Sequence, residues 1–373
     1  MRVDVVVVGA GVQGSSVALR LAQAGRQVAV LERAVPGAEA SSAAGGILSP
    51  GVEAVEPGPF YALCRASLAL YPGFVAEVEA LSGMSVGFRS LGTLEVALDD
   101  DHAKVLAARA EKILAHGLPV EVLDEAAVHR LEPGVSRETR GALLFPDEGT
   151  LDPRSLARAV YVAAARAGAA FVTGQVKRIV AENGRAVAVD HESGRIEAGA
   201  VVLAAGSWSL QVEGHGLPAG SVRPVRGQIA VLDTRPPLLA RAIFSGHGYV
   251  VPRPDGRILC GSTMEEVGFE KAVTAAGLRH VLGVAIGIAP ALERAPVVET
   301  WSNFRPASPD GEPILGQGTV AGLLYATGHT RNGILLAPVT ADAIAAAVLG
   351  RPPPVDLAPF SPARLAGMIG PRR

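Results

Sequence analysis

Close to its start the chain carries four apolar residues in a row, Val5 to Val8. From Asp4 to Val8 the β-branched run is continuous, as in a central parallel strand buried on both faces. A helical pattern follows over about Val12 to Ala24, with Gly25 placed to cap its end. Gln27 to Leu31 then reads as a second strand. Small residues fill the loop from Ala38 to Gly51, and helical spacing resumes from about Phe60 to Leu81.

The middle of the chain is mixed. Strands are predicted at Gly92–Leu98 and Ala142–Phe145, with helices around Asp100–His116 and Asp124–Leu131. Asp152 and Pro153 supply an N-cap and a first-turn proline for a helix running to about Ala167. Short strands follow at Val176–Ala181, Ala186–His191 and Ala200–Ala204. The stretch from Gly227 to Gly261 is strand-rich, and Glu270 to Ile288 reads as a helix. Near the end come a strand at Leu323–Ala326 and an Ala-rich helix from about Leu335 to Leu349. The RPPP at Arg351–Pro354 ends that helix and predicts a loose tail. Strand–helix alternation clusters at the start, around residues 150–205 and at the end, so the chain is expected to cross between two domains more than once.

Composition narrows the function classes. A formal net charge of −2 argues against an electrostatic nucleic-acid binder. The opening run of four Val is shorter than the apolar core of a signal peptide, and Val281 to Leu292 is too short to span a bilayer, so no membrane association is expected. Two cysteines, Cys64 and Cys260, can form neither a disulfide framework nor a four-thiolate metal site, and they suit a reducing cytoplasm. All but four of the 34 Lys and Arg residues are Arg, so an Arg at an interesting position carries little weight by itself.

The first chemical motif is VVVVGAGVQG, with Gly9, Gly11 and Gly14 in the GxGxxG spacing. Such glycines permit a tight turn, close approach of backbone to a pyrophosphate, and tight helix–strand packing. Glu32, at the end of the next strand, is placed to accept hydrogen bonds from ribose hydroxyls. NAD and FAD share this fingerprint, so a NAD-dependent dehydrogenase stays open on these residues alone. Three further segments favour an extended FAD: the small-residue loop Ser41–Leu48, the strand end Ala204-Ala205-Gly206, and the turn and helix start within Tyr325–Pro338.

Together with ASSAAGGIL, YVVPRPDGRILCGSTMEEVGF (Tyr249–Phe269), ETWSNFRPASPDGEPILG (Glu299–Gly316) and GHTRNGILLAPVT, these motifs resemble the FAD-dependent amino-acid oxidases of the D-amino-acid-oxidase superfamily, and among them the glycine oxidases of thiazole biosynthesis. The resemblance covers nearly the whole chain. It implies an α/β fold: a Rossmann-like, glutathione-reductase-like FAD-binding domain (1–85, 150–220 and 318–373) interleaved with an α+β substrate domain on a mainly antiparallel sheet (86–149 and 221–317). Non-covalent FAD contacts are implied for Val12, Gln13, Glu32, Arg33, Ala40, Ser41, Gly45, Gly46 and Ile47. Val176 is implied to meet the adenine, Gly206 to lie against the cofactor, and His329, Thr330, Arg331, Asn332, Gly333, Ile334 and Leu335 to wrap the flavin. In the substrate pocket it implies Arg305, Arg331, Tyr249 and Met264, and for the assembly a homotetramer.

These residue types suit the chemistry. A planar guanidinium holds an amino-acid carboxylate through two parallel hydrogen bonds. The Tyr249 hydroxyl adds another, and Met264 is a soft apolar wall. His247 and His329 read as structural neighbours of the pocket, Cys64 and Cys260 as buried packing residues, and Glu265-Glu266 and Asp99–Asp101 as solvated turn and cap residues. No metal-ligand cluster and no Ser-His-Asp arrangement is expected. The predicted reaction is oxidative deamination of glycine or a similarly small amine, with dioxygen as acceptor and a 2-oxo acid, ammonia and hydrogen peroxide as products. Sarcosine, D-proline or D-alanine as substrate, a quinone acceptor, and a non-catalytic dinucleotide-binding protein remain open alternatives.

Overall fold

A computed structural model describes residues 1–53 and 57–368. Residues 54–56 and 369–373, which belong to the predicted 1–85 and 318–373 segments, lie outside the described residues.

The opening β-branched run forms the Arg2–Val8 strand at the centre of an eight-stranded sheet. Val28–Glu32 and Gly194–Leu203 flank it in parallel. Ala170–Thr173 and Leu323–Thr327 extend the parallel core outward, and Ile314–Gln317 closes one edge antiparallel. Val176–Glu182 and Arg185–His191 form an antiparallel meander with Gly194–Leu203.

Helices Val12–Gln23, Pro59–Ser82, Pro153–Arg166 and Ala337–Val348 cover one face of this sheet, burying Val5, Val7, Leu19, Tyr71, Val160 and Ile344. The other face packs against the meander through Val6, Ile179, Val189 and Val201. The predicted capping of Pro153–Arg166 is seen in detail: Asp152 accepts hydrogen bonds from the backbone N–H groups of Arg154 and Ser155.

The second eight-stranded sheet runs Val297–Ala307, Arg223–Asp233, Arg257–Gly261, Gly248–Pro252, Ala242–Ser245, Thr93–Ala97, Gly141–Phe145, Glu121–Leu123. Every neighbouring pair in it is antiparallel except Ala242–Ser245 with Thr93–Ala97. The Ala275–Ile288 helix packs Val281, Ala285 and Ile288 against the sheet. That helix starts later than its apolar pattern suggests, because the Thr274 hydroxyl caps it by accepting from the Gly277 N–H. On the opposite face, Ile229, Phe244, Tyr249, Val251 and Leu259 pack against Ile47 and Trp301.

The C-terminal segment corrects the loose tail expected after Pro354. Short 3-10 turns at Ala358–Phe360 and Pro362–Gly367 bury Phe360 and Leu365, and the Arg364 guanidinium donates to Asp310 over 2.7 Å. Proline stops an α-helix but is well placed to begin a new turn, and the two buried apolar side chains fasten these turns to the body of the protein. Among the described residues, no helix is long and apolar enough to cross a membrane.

Candidate functional site

A cavity of about 1800 Å³, its open mouth included, lies at the carboxyl ends of the parallel strands and reaches the second sheet. Open α/β sheets bind ligands at this position, in the crevice outside the strand ends. Its walls take in Gly9, Gly11, Val12, Gln13, Glu32 and Arg33 from the first turn and second strand. Ala40, Ser41, Gly45, Gly46 and Ile47 line it from the small-residue loop, and His329 to Ile334 from the last turn. Val176 and Gly206 also face it, so segments far apart in sequence converge on one space.

The Gly-rich turn leaves no room for side chains. Gly9 has φ +102°, and a Cβ there would lie 2.6 Å from the Ala204 carbonyl oxygen. A Cβ on Gly14 would lie 1.9 Å from the Gly9 carbonyl oxygen, so Gly14 sits behind the turn as a packing residue and not in the cavity wall. Gly11 caps the Val12–Gln23 helix without a side-chain hydrogen bond. The Val12 N–H donates to the Ser41 hydroxyl over 2.9 Å, and the remaining amides of the helix start favour an anion.

Gln13 links the two ends of the chain. Its Nε2 donates to the Gly333 carbonyl over 2.6 Å, while its Oε1 is buried without a partner. The Glu32 carboxylate accepts from the Ala10 N–H at 2.9 Å and the Ala34 N–H at 3.1 Å. A carboxylate has roughly four acceptor directions, so Glu32 keeps capacity for ribose hydroxyls. The Arg33 guanidinium stacks 3.9 Å from the centre of the Trp208 ring and pairs with Glu39. A closed Gly turn, an open helix start and an orphaned acceptor in one wall fit a dinucleotide cofactor.

The second sheet braces the small-residue loop from behind. Arg253 donates to the carbonyls of Gly45 (2.9 Å) and Leu151 (2.7 Å), and the Trp301 Nε1–H donates to the Ala43 carbonyl (3.1 Å). Ile47–Leu48 pairs antiparallel with Gly149–Thr150.

Arg305 enters the cavity from the Val297–Ala307 strand. It donates to the Thr263 carbonyl at 3.0 Å and the Ser262 hydroxyl at 2.5 Å, and no carboxylate among the described residues pairs with it. Burial, with the like charge of Arg331, lowers its pKa from the usual value, while Tyr249 and Glu53 act in the opposite direction. Gly227, on the neighbouring strand, makes room for the guanidinium: a Cβ there would lie 2.5 Å from it. Arg331 is ion-paired with Glu53 at 3.0 Å. His329, 2% exposed, contacts Thr340 over 3.1 Å, and burial lowers its pKa to about 3, so the ring is neutral.

Several expected residues lie elsewhere. Met264 is 56% exposed and lines a shallow depression with Arg223 and Glu266 instead of the cavity. Thr263 and Glu265 turn inward on either side of it, and alternation turns Met264 outward. Leu335 faces the core of the first sheet at 1% exposure. His247 is exposed and outside the cavity wall.

Glu265 is not the solvated turn residue expected from sequence. It pairs at 2.5 Å with Arg226, which is 3% exposed. Burial opposes ionisation there, but the Arg226, Thr263 and Gln228 hydrogen bonds hold the Glu265 pKa down to about 2. Asp99 does cap a helix, accepting from the His102 N–H at 2.7 Å.

Cys64 and Cys260 are buried outside the cavity wall, and burial raises the Cys260 thiol to about 12. The described residues hold no cluster of His, Cys, Asp or Glu suited to a metal ion. Glu53, Gly227, Arg253 and Ser262 escaped the sequence reading. Only Gly227, a lone Gly inside a strand, carries a local signal for close approach.

A family model described as FAD dependent oxidoreductase matches residues 4–347. The glycine oxidase of Geobacillus kaustophilus is 33% identical over 372 residues, 99% of both chains. The bifunctional protein ThiO/ThiG of Trichormus variabilis is 36% identical over 347 residues, 92% of this chain and 52% of that one, so the chain spans about half the length of this relative. Among solved structures, the G. kaustophilus glycine oxidase superposes with a TM-score of 0.92 at 34% identity, covering 96% of this chain and 98% of the other. The iminodiacetate oxidase of Chelativorans sp. BNC1 gives 0.87 at 29% identity, covering 96% and 98%. With a dinucleotide cradle at its strand ends and a family match over most of its length, the chain belongs to the FAD dependent oxidoreductases.

Proposed function

We propose that the protein oxidises glycine or a similarly small primary or secondary amine to the 2-oxo acid and ammonia, passing the electrons to dioxygen and feeding thiazole synthesis. The observation that carries this reading is Arg305: a guanidinium without a carboxylate partner among the described residues, in the wall of a cavity whose other end is a dinucleotide cradle. A half-buried cation of this kind is stabilised by an incoming carboxylate.

When bound, FAD supplies the two-electron acceptor chemistry for converting the amine to an imine, which water then hydrolyses. The protein positions the substrate. Arg305 grips the carboxylate, held in place by Ser262 and Thr263, and the Tyr249 hydroxyl borders the same end of the cavity. With its pKa near 3, His329 is no proton donor at neutral pH, so the amine enters an environment without a strong acid there. FAD would be held through the Gly turn, Glu32, the braced loop and the last turn, without a cysteine link. A reducing cytoplasm and a homotetramer complete the proposal, with no nucleic-acid or membrane partner.

The test is anaerobic flavin reduction by glycine, sarcosine, D-alanine and D-proline. Bleaching by glycine supports the reading, and a flavin that none of the four reduces sinks it.

A further inference from the structure

Among the described residues, three arginines line the cavity: Arg33, Arg305 and Arg331. Arg33 is paired with Glu39 at 2.8 Å and Arg331 with Glu53 at 3.0 Å, whereas Arg305 has no carboxylate partner among the described residues. The Glu53 side chain is 13% exposed and that of Arg331 37%, so solvent screens this pair incompletely. Both lie close enough to Arg305 to act on its charge. Among the described residues, one end of the cavity therefore presents two cations, Arg305 and Arg331, and one anion, Glu53, to whatever enters.

We infer that Glu53 is a specificity-determining residue: by holding Arg331 in an ion pair it leaves Arg305 as the single cation open to a substrate carboxylate, and so selects amines bearing one carboxylate over those bearing two. The inference rests on the reading of this cavity as a small-amine site. A first carboxylate meets Arg305. A second would have to displace Glu53 from Arg331 and would feel its repulsion on approach. Rejection by a like charge in a partly desolvated site is an effective means of discrimination. Without the Glu53 charge, Arg331 is an accessible guanidinium lacking its counter-ion, ready to take a second carboxylate in bidentate fashion.

The test uses FAD-loaded protein and two acids that cannot be oxidised. Acetate and malonate are titrated against wild type and Glu53→Gln while the flavin absorption spectrum is followed. Malonate should gain on acetate by about ten-fold or more in Glu53→Gln, in line with couplings between close charge pairs. The ratio of kcat/KM for iminodiacetate to that for glycine should rise in parallel. Adding Arg331→Gln to that variant should abolish the gain. Arg331→Gln alone, which leaves Glu53 an unpaired anion, should weaken malonate more than acetate, and this arm remains if Glu53→Gln does not fold.

An unchanged malonate-to-acetate ratio in Glu53→Gln overturns the inference, as does a gain that survives Arg331→Gln. Equal weakening of both acids by Arg331→Gln alone also overturns it. The acid titrations read Glu53 whether or not any amine is oxidised. Absence of flavin reduction by every small amine would count against the oxidase reading alone.

Discussion

The side-chain amide of Gln13 donates to the backbone carbonyl of Gly333 across 2.6 Å, joining the first helix to the turn before the last one. The same side chain leaves Oε1 buried and unpartnered in the cavity wall. One residue thus fastens the last turn and carries a buried acceptor without a protein partner beside the cavity. Gln13→Leu removes both, and FAD affinity should fall by about ten-fold, the scale of one or two buried hydrogen bonds. Fluorescence titration of the apoprotein with FAD measures it, and an unchanged dissociation constant would refute the double role.

Arg305→Met keeps much of the side-chain volume and deletes the charge. Losing a bidentate charge-assisted contact should lower kcat/KM for the preferred amine by roughly a hundred-fold or more. Most of this should appear in KM, with the flavin spectrum intact. A variant as active as wild type would move the carboxylate site elsewhere.

Gly227→Ala tests the same group from a neighbouring strand. The added methyl would lie 2.5 Å from the Arg305 guanidinium, so the arginine must shift. A displacement on the order of 1 Å can cost about a hundred-fold in rate, and KM should rise while FAD affinity stays near wild type. Equal losses in cofactor and substrate binding would indicate general disruption instead.

Glu148 makes stability depend on pH. It is 2% exposed, and burial raises its pKa to about 8, against the Ser49 and Gly51 hydrogen bonds that act to lower it. The folded state therefore retains a proton that the unfolded chain loses from about pH 4.5 upward. Its contribution is complete below that pH and disappears as pH rises through about 8. Glu148→Gln has no proton to lose, so its Tm relative to wild type should improve steadily from pH 5 to pH 8. A pH-independent Tm difference would contradict the assignment.

The cofactor side of the cavity was legible because its determinants are local. Gly9, Gly11, Gly14 and Glu32 are set by one strand–turn–helix–strand unit, whose spacing is visible in a short window. The substrate side depends on partners brought together by the fold. The motif around Arg305 draws attention to a residue that the fold places in the cavity wall. The pairing of Arg226 with Glu265, joined by an isolated β-bridge between segments 39 residues apart, has no signature in the chain, and Glu265 therefore reads as solvated. Met264 failed for a subtler reason: the motif identifies a segment, but inward and outward positions alternate along it, and the neighbours Thr263 and Glu265 take the inward ones. Glu148 and Glu53 are single carboxylates among many in the sequence, distinguished only by what surrounds them. Phe360 and Leu365 were hidden by the prolines around them.

The Gln13–Gly333 contact also bears on how the protein is made. The Arg2–Val8 strand is synthesised some three hundred residues before Leu323–Thr327, its companion in the same sheet, and before the turn that closes the cradle. A nascent chain halted midway has its Gly turn but no closing turn, and Arg2–Val8 still lacks its Gly194–Leu203 neighbour. Contacts this distant in sequence make folding slow and leave apolar strand edges exposed while it proceeds. FAD can therefore act only once the Gly333 turn has emerged, and from that point it draws the native state forward by mass action.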